Sequence, residues 1–189
     1  MKLFPCFYLS MTVIILASCT PSDNQLKSQS EMDQVTPSPK LVTLDKNFKI
    51  AMCQTIYIPV YSHVFYSEQR IFNLATTLSI RNTDLTNPII ITSVRYYNSN
   101  GKLVKQYLEG PIQLNALAST NFFVQRNDPS GGFGANFIVD WVAQTEISPP
   151  IVEAVMLNAE SQQGISLLSS GRVIKSQNNR KCSSTVSAS

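Results

Sequence analysis

The sequence predicts an all-β domain: an antiparallel, immunoglobulin-like β-sandwich of roughly seven to eight strands. Three observations carry that prediction. Apolar and polar residues alternate with period two across 71–82, where Phe72, Leu74, Thr76, Leu78 and Ile80 share one face and Asn73, Ala75, Thr77, Ser79 and Arg81 the other. Turn signals recur about every 8–12 residues between the two polar ends of the chain. No stretch carries a convincing amphipathic helical pattern.

The elements follow in order. Thr55–Tyr61 reads as a strand, with Pro59 marking an edge or a bulge because it cannot donate to a ladder. After 71–82, Asn82-Thr83-Asp84 and Asn87-Pro88 turn the chain into a strand over 89–97. Asn100-Gly101, between Tyr96-Tyr97 and Leu103-Val104, is the strongest hairpin signal, and Gly110-Pro111 ends the strand that follows it. Further strands are expected near 120–126, 136–144, 151–158 and 165–174. Trp141 is placed as a core aromatic between sheets, although the cysteine pair that brackets such a tryptophan in immunoglobulin domains is missing.

The N-terminus has a different character. Met1-Lys2, the apolar run Leu3–Ala17 and the small residues before Cys19 describe a secretory signal peptide over 1–18. Leu16-Ala17-Ser18-Cys19 resembles the bacterial lipobox, in which an aliphatic and two small residues precede the cysteine that receives lipid; Cys19 is the expected lipidation site. The run is too short and too interrupted, by Pro5, Ser10 and Thr12, for a spanning helix. Residues 19–47 are the lipidated cysteine and a tether, polar and expected to be disordered, with a reach of roughly 30 Å. The sandwich is expected over 48–175, and 176–189 as a disordered tail. The expected location is therefore the cell envelope, anchored to the inner or outer membrane and facing the periplasm. In that oxidising compartment Cys53 and Cys182 can form a disulfide; the competing reading is a buried Cys53 and a free tail thiol.

Catalytic signals are sparse. The chain is 43% hydrophobic and 14% charged, with a formal net charge of +3 and no basic stripe, so nucleic acid is not an expected partner. The single histidine, His63, neighbours Ser62, and on a strand the two would point to opposite faces, which argues against a nucleophile–base pair. No Gly-x-Ser-x-Gly elbow occurs. Two cysteines and one histidine fall short of a structural zinc set, so no metal and no cofactor are expected. The glycine-dense loop 128–136 lacks the following helix and the lysine of a phosphate cradle; its glycines read as turn formers or as a ligand-contacting loop. Tyr57, Tyr61, Phe65, Tyr66, Tyr96, Tyr97 and Tyr107 read as half-buried sheet residues or as a stacking platform for sugar or peptide.

Four strings resemble the uncharacterised bacterial lipoprotein family named for domain of unknown function 3124. They are Tyr57–His63, Leu78–Asp84, Ser130–Phe137 and Ser161–Ser166. The resemblance implies membership and compartment, and no activity. The combined expectation is a non-enzymatic, membrane-anchored interaction module that engages a protein or another envelope component. Its candidate binding face is Tyr61, Ser62 and His63, the turn with Arg81, Asn82 and Asp84, the loop with Gly131, Gly132, Gly134 and Asn136, and the turn with Gln162, Gln163 and Gly164. The alternatives are a cell-envelope enzyme using His63 with a nearby acid, and an assembly lipoprotein acting through oligomerisation.

Overall fold

The structure, a computed structural model, describes residues 40–44, 48–159 and 164–178. It is all-β and antiparallel. The strands are β1 (Lys40–Leu41), β2 (Met52–Pro59), β3 (His63–Ser67), β4 (Arg70–Asn73), β5 (Ala75–Arg81), β6 (Ile89–Tyr97), β7 (Leu103–Gln106), β8 (Ile112–Leu114), β9 (Ser119–Val124), β10 (Asn136–Ala143), β11 (Ile151–Asn158), β12 (Ile165–Ser170) and β13 (Arg172–Asn178). Sheet 1 runs β1-β8-β6-β10-β2-β13, with β7 also on β6; sheet 2 runs β12-β11-β5-β9; β3 and β4 form a separate hairpin.

The two sheets bury the side chains that alternation assigns to the inside. Ile56 and Ile58 of β2, Val94 and Tyr96 of β6, and Phe137, Val139 and Trp141 of β10 meet Leu78 and Ile80 of β5 and Val152, Ala154 and Met156 of β11 in one hydrophobic cluster. Strands 89–97 and 151–158 coincide with their expected bounds. An irregularity between Asp140 and Trp141 leaves Thr92 unpaired, which lets Ile89 and Ile91 before it and Val94 and Tyr96 after it all face the core, while Ile90 lies on the other face beside Val42 and Phe48.

The strand count exceeds the sequence estimate for physical reasons. The 71–82 segment breaks at Leu74, whose amide donates to the Ser62 carbonyl (2.8 Å) instead of continuing a ladder. The 165–174 segment breaks at Gly171 and crosses from sheet 2 to sheet 1. There a Cβ would meet Ile56 Cγ2 at 2.6 Å and the Val152 carbonyl at 2.9 Å, so only glycine passes between the sheets. Asn98–Gly101 closes the β6–β7 hairpin, with Gly101 at φ 73°. Pro59 pairs only with Asn136, beyond the reach of β13, which makes its end of β2 a local edge.

The domain also begins earlier than composition suggests. Leu41 lies opposite Ile112 and the Val42 amide donates to the Pro111 carbonyl (2.9 Å), so part of the expected tether supplies an edge strand to sheet 1. At the other end β13 continues to Asn178, because its residues pair with β2 down to Met52. Cys19, Gln162, Gln163 and Cys182, and the signal peptide, lie outside the described residues. Among the described residues no helix is long and apolar enough to cross a membrane.

Candidate functional site

The candidate residues divide between the two ends of the sandwich. Tyr61, Ser62, His63 and the Gly131–Asn136 loop converge at the end where β2 and β10 meet at Pro59 and Asn136. Gly164 joins them through the β11 terminus: it lies beside the Asn158 carbonyl, and the Asn158 amide donates to Asn73 O (2.7 Å) at the base of the β3–β4 hairpin. Arg81, Asn82 and Asp84 sit at the opposite end. The sequence therefore groups on one face residues that the fold separates by the length of β5.

At that opposite end the polar side chains serve the turn itself. Asn82 is buried; its side-chain amide donates to the carbonyls of Asn87 (2.8 Å), Leu114 (3.2 Å) and Asn115 (2.9 Å), and its oxygen accepts from Asp84 N. Asp84 accepts from the amides of Thr86 (2.9 Å) and Asn87 (2.7 Å), which hold its carboxyl below its usual value. Replacing Asn82 by alanine leaves three carbonyls short of a donor, and a loss of about 2 kcal/mol in urea unfolding is expected.

At the hairpin end the glycine loop is shaped by close approach. A Cβ at Gly131 would collide with the Tyr96 hydroxyl, and one at Gly132, which has φ 71°, would meet Ser99 Oγ at 2.6 Å. Ser99 ties the loop down: its hydroxyl donates to Gly131 O (3.1 Å) and accepts from Gly134 N (2.8 Å). Further bonds run from Val60 N to Ala135 O (2.9 Å) and from Ser62 N to Gly132 O (3.2 Å), locking the loop to the segment before β3. The glycines thus have a packing role, and the side chain the loop projects is Phe133.

Phe133 is 49% exposed and Phe65 59% exposed, and together with Tyr61 and His63 they form a surface cluster. Ring centroids are 5.2 Å apart for Tyr61–Phe133, 5.4 Å for His63–Phe65, 5.9 Å for Phe65–Phe133 and 6.1 Å for His63–Phe133. The interplanar angles run from 43° to 81°, so the rings meet by edges and do not make a flat stacking platform. On the other face of the hairpin Tyr66 stacks on Phe72 at 4.3 Å. Four tyrosines of the expected platform are elsewhere: Tyr57 and Tyr97 lie on the outer face of sheet 1, where Arg95 bonds to the Tyr97 hydroxyl, Tyr96 is a core residue, and Tyr107 packs on Phe137 and bonds to Phe123 O. Burial, with Asp128 nearby, pushes the phenols of Tyr96 and Tyr107 up to about 12, so both remain neutral donors at ordinary pH.

Ser62 and His63 do touch, contrary to the alternation argument. Ser62 Oγ lies 2.9 Å from His63 Nδ1. Ser62 occupies a bend before β3, where strand alternation does not apply. With Ser62 as donor, the neutral ring carries its proton on Nε2, and that nitrogen is the one left for a partner. Ser62 is only 5% exposed, and among the described residues no carboxylate forms an ion pair with His63. The carboxylate of Asp140 is taken by Arg95 (2.6 Å) and Thr55 (2.6 Å) on the outer face of sheet 1. Among the described residues no group of three or more His, Cys, Asp or Glu is placed to hold a metal ion. A cavity of about 200 Å³ near Val42, Phe48, Ile90 and Gln113 has no titratable side chain in its lining. Cys53 is disulfide-bonded, to a partner outside the described residues.

Comparison with known proteins gives one family match: the model described as "Protein of unknown function (DUF3124)" covers residues 53–174. No curated protein matches. The solved structure "Crystal Structure of Thermotoga maritima 1070" is similar over 63% of this chain and 92% of that one, at 10% identity and a TM-score of 0.39, too low to carry an argument.

Proposed function

This chain belongs to the DUF3124 family, and from that premise we propose that it is a lipid-anchored protein of the cell envelope that acts as a non-enzymatic binding module. Cys19 carries the lipid, in the inner or outer membrane, and the domain faces the periplasm. The partner is a protein or another envelope component, met by the aromatic end of the sandwich. The observation that carries this reading is the cluster of exposed Phe65 and Phe133 with half-buried Tyr61 and His63. Two chain segments, 61–65 and the glycine loop, tied by backbone hydrogen bonds, hold Phe65 and Phe133 half in water around one oriented imidazole. Exposed aromatic groups of this kind mark interaction sites more often than they mark stable surface. Edge-on rings suit an apolar side chain inserted between them better than a sugar or base laid flat.

The test is a pair of variants. Phe65→Ser and Phe133→Ser together are expected to reduce partner capture by the full chain in cells roughly a hundredfold, as hot-spot aromatics do. The melting temperature is expected to move by only about 2 °C, because both rings are already half in water. Capture that survives both changes removes the cluster from the account.

The Ser62–His63 contact favours a second reading, an envelope hydrolase with Ser62 as nucleophile and His63 as base. Labelling of Ser62 by a fluorophosphonate probe, abolished by His63→Ala, would establish it. The depth of Ser62, and the engagement of its amide by Gly132, favour its role as the group that orients His63.

A further inference from the structure

We infer that the outer face of sheet 2 packs against the same face of a second copy of this chain, about a two-fold axis parallel to the strands and passing between β11 and β5. This inference stands apart from the aromatic end and from any activity there. Leu168, Val155, Thr77 and Phe123 stand in one row, one residue from each strand in the order β12-β11-β5-β9. Leu157 and Ala75 lie side by side in the next row. Leu168 is 65% and Phe123 52% exposed, and Val155 and Leu157 are exposed as well. Outward-facing apolar rows of this kind are unusual on a sandwich, whose outer faces are normally polar.

The choice of a second copy follows from how this face complements itself. The axis places β11 over β5 of the other copy and β12 over β9. Leu168 then meets Phe123, Val155 meets Thr77, and Leu157 meets the small Ala75, large against small across the interface. Only two charged residues occur in the four strands, Glu153 and Arg81, and they have opposite sign. They lie on neighbouring rows, since Glu153 is opposite Ser79 and Ile151 is opposite Arg81. The same axis brings Glu153 of each copy beside Arg81 of the other, at the rim, where an ion pair selects register. Within one chain Arg81 is bonded to Ser79 and Glu153 to Ser170, so both charges lie flat on this face. Edge strands β12 and β9 contain no charge and no proline, the usual guards against association. The face measures about 20 by 20 Å, which on two copies removes roughly 1,000 Å² from water, the lower bound for a specific interface. An axis along the strands also points both aromatic ends the same way, so the pair presents two recognition surfaces side by side.

The test uses two distinguishable tagged full chains expressed together, Leu168→Cys in one and Phe123→Cys in the other. A bis-maleimide of about 10 Å span, the spacing of packed sheets, is expected to link them roughly tenfold better than it links two Leu168→Cys copies. Glu153→Arg in both chains is expected to abolish the link, and Arg81→Glu added to Glu153→Arg to restore it. Both are surface changes that leave each chain folded. Equal linking of two Leu168→Cys copies would mean that β12 edges pair, and would overturn the face-to-face arrangement. Absence of any link, with both cysteines still reactive toward a monofunctional maleimide, would show that this face has no second copy on it. A link indifferent to Glu153→Arg would refute the proposed axis.

Discussion

Truncating Trp141 to alanine is expected to lower the free energy of unfolding by about 3–5 kcal/mol. Trp141 is 1% exposed on the inner face of β10, between Gln54 of β2 and Ile91 of β6. It is the largest fully buried side chain of the described residues, and it sits just past the irregularity at Asp140. Removing the indole opens a cavity that strands pinned on both sides by ladders cannot close. A domain of this size has a total stability of about 5–15 kcal/mol, so the loss consumes a large part of it. Denaturant unfolding of the two proteins measures it directly. The contrast with the double change at Phe65 and Phe133 is the informative part. Three aromatic substitutions in one protein divide into a core effect on stability and a surface effect on capture. A Trp141→Ala cost below about 1 kcal/mol would mean that the two sheets do not share the core assigned to them.

Breaking the disulfide of Cys53 is expected to have the next largest effect. Cys53 is bonded to one of the three other cysteines, Cys6, Cys19 or Cys182. On the reading proposed above Cys6 leaves with the signal and Cys19 carries lipid, which leaves Cys182. In the ladder Gln177 lies opposite Cys53 and Asn178 opposite Met52, and in the sequence Cys182 follows four residues later. A link from 53 to 182 closes a loop of about 130 residues, nominally about 5 kcal/mol in the chain-entropy model. Because β13 already holds this end of the chain, Cys53→Ser is expected to cost about 2–4 kcal/mol, read from denaturant curves. Non-reducing peptide mapping is expected to recover the 53–182 pair. A 53–19 pair would contradict both the bridge and the lipid anchor.

Much of the fold was legible because alternation reports burial directly. Leu74, Thr76, Leu78 and Ile80 all face inward as the period-two pattern requires, and Trp141 is in the core. What the pattern does not report is where a continuous extended run changes partner. Nothing in the residues 71–73 separates a hairpin of its own from the start of a sheet 2 strand; the decision is made by the Ser62 carbonyl, which accepts from Leu74 N across the hairpin. Gly171 is more readable in hindsight, since a lone glycine inside a strand pattern marks close backbone approach. The same limitation explains Ser62 and His63. Alternation holds only inside a ladder, and their contact depends on a bend that precedes one.

The placement of the candidate residues was half legible. Polar and glycine-rich strings named loops that the fold brings together at the hairpin end, yet the glycines accommodate Tyr96 and Ser99 while Phe133 does the projecting. A large aromatic bracketed by glycines in Gly131-Gly132-Phe133-Gly134 was the available signal, because such a side chain has few neighbours in sequence to cover it. Phe65-Tyr66 carried a second signal: consecutive aromatics on a short strand occupy both faces, and one short hairpin cannot bury both. At the opposite end a distinctive polar string, Arg81–Asp84, has a sufficient structural explanation in the hydrogen bonds of Asn82 and Asp84.

On the function proposed above, the aromatic end of the sandwich is the recognition surface of an anchored protein. That reading is tested most directly by placing a photoreactive amino acid, in cells and in the full chain, at position 133 or at position 85. Leu85 is also a highly exposed apolar residue, and it lies at the other end of the domain beside the Asn82 turn. Irradiation is expected to give a discrete covalent adduct from position 133 and none from position 85. An adduct from 85 with none from 133 would contradict the account.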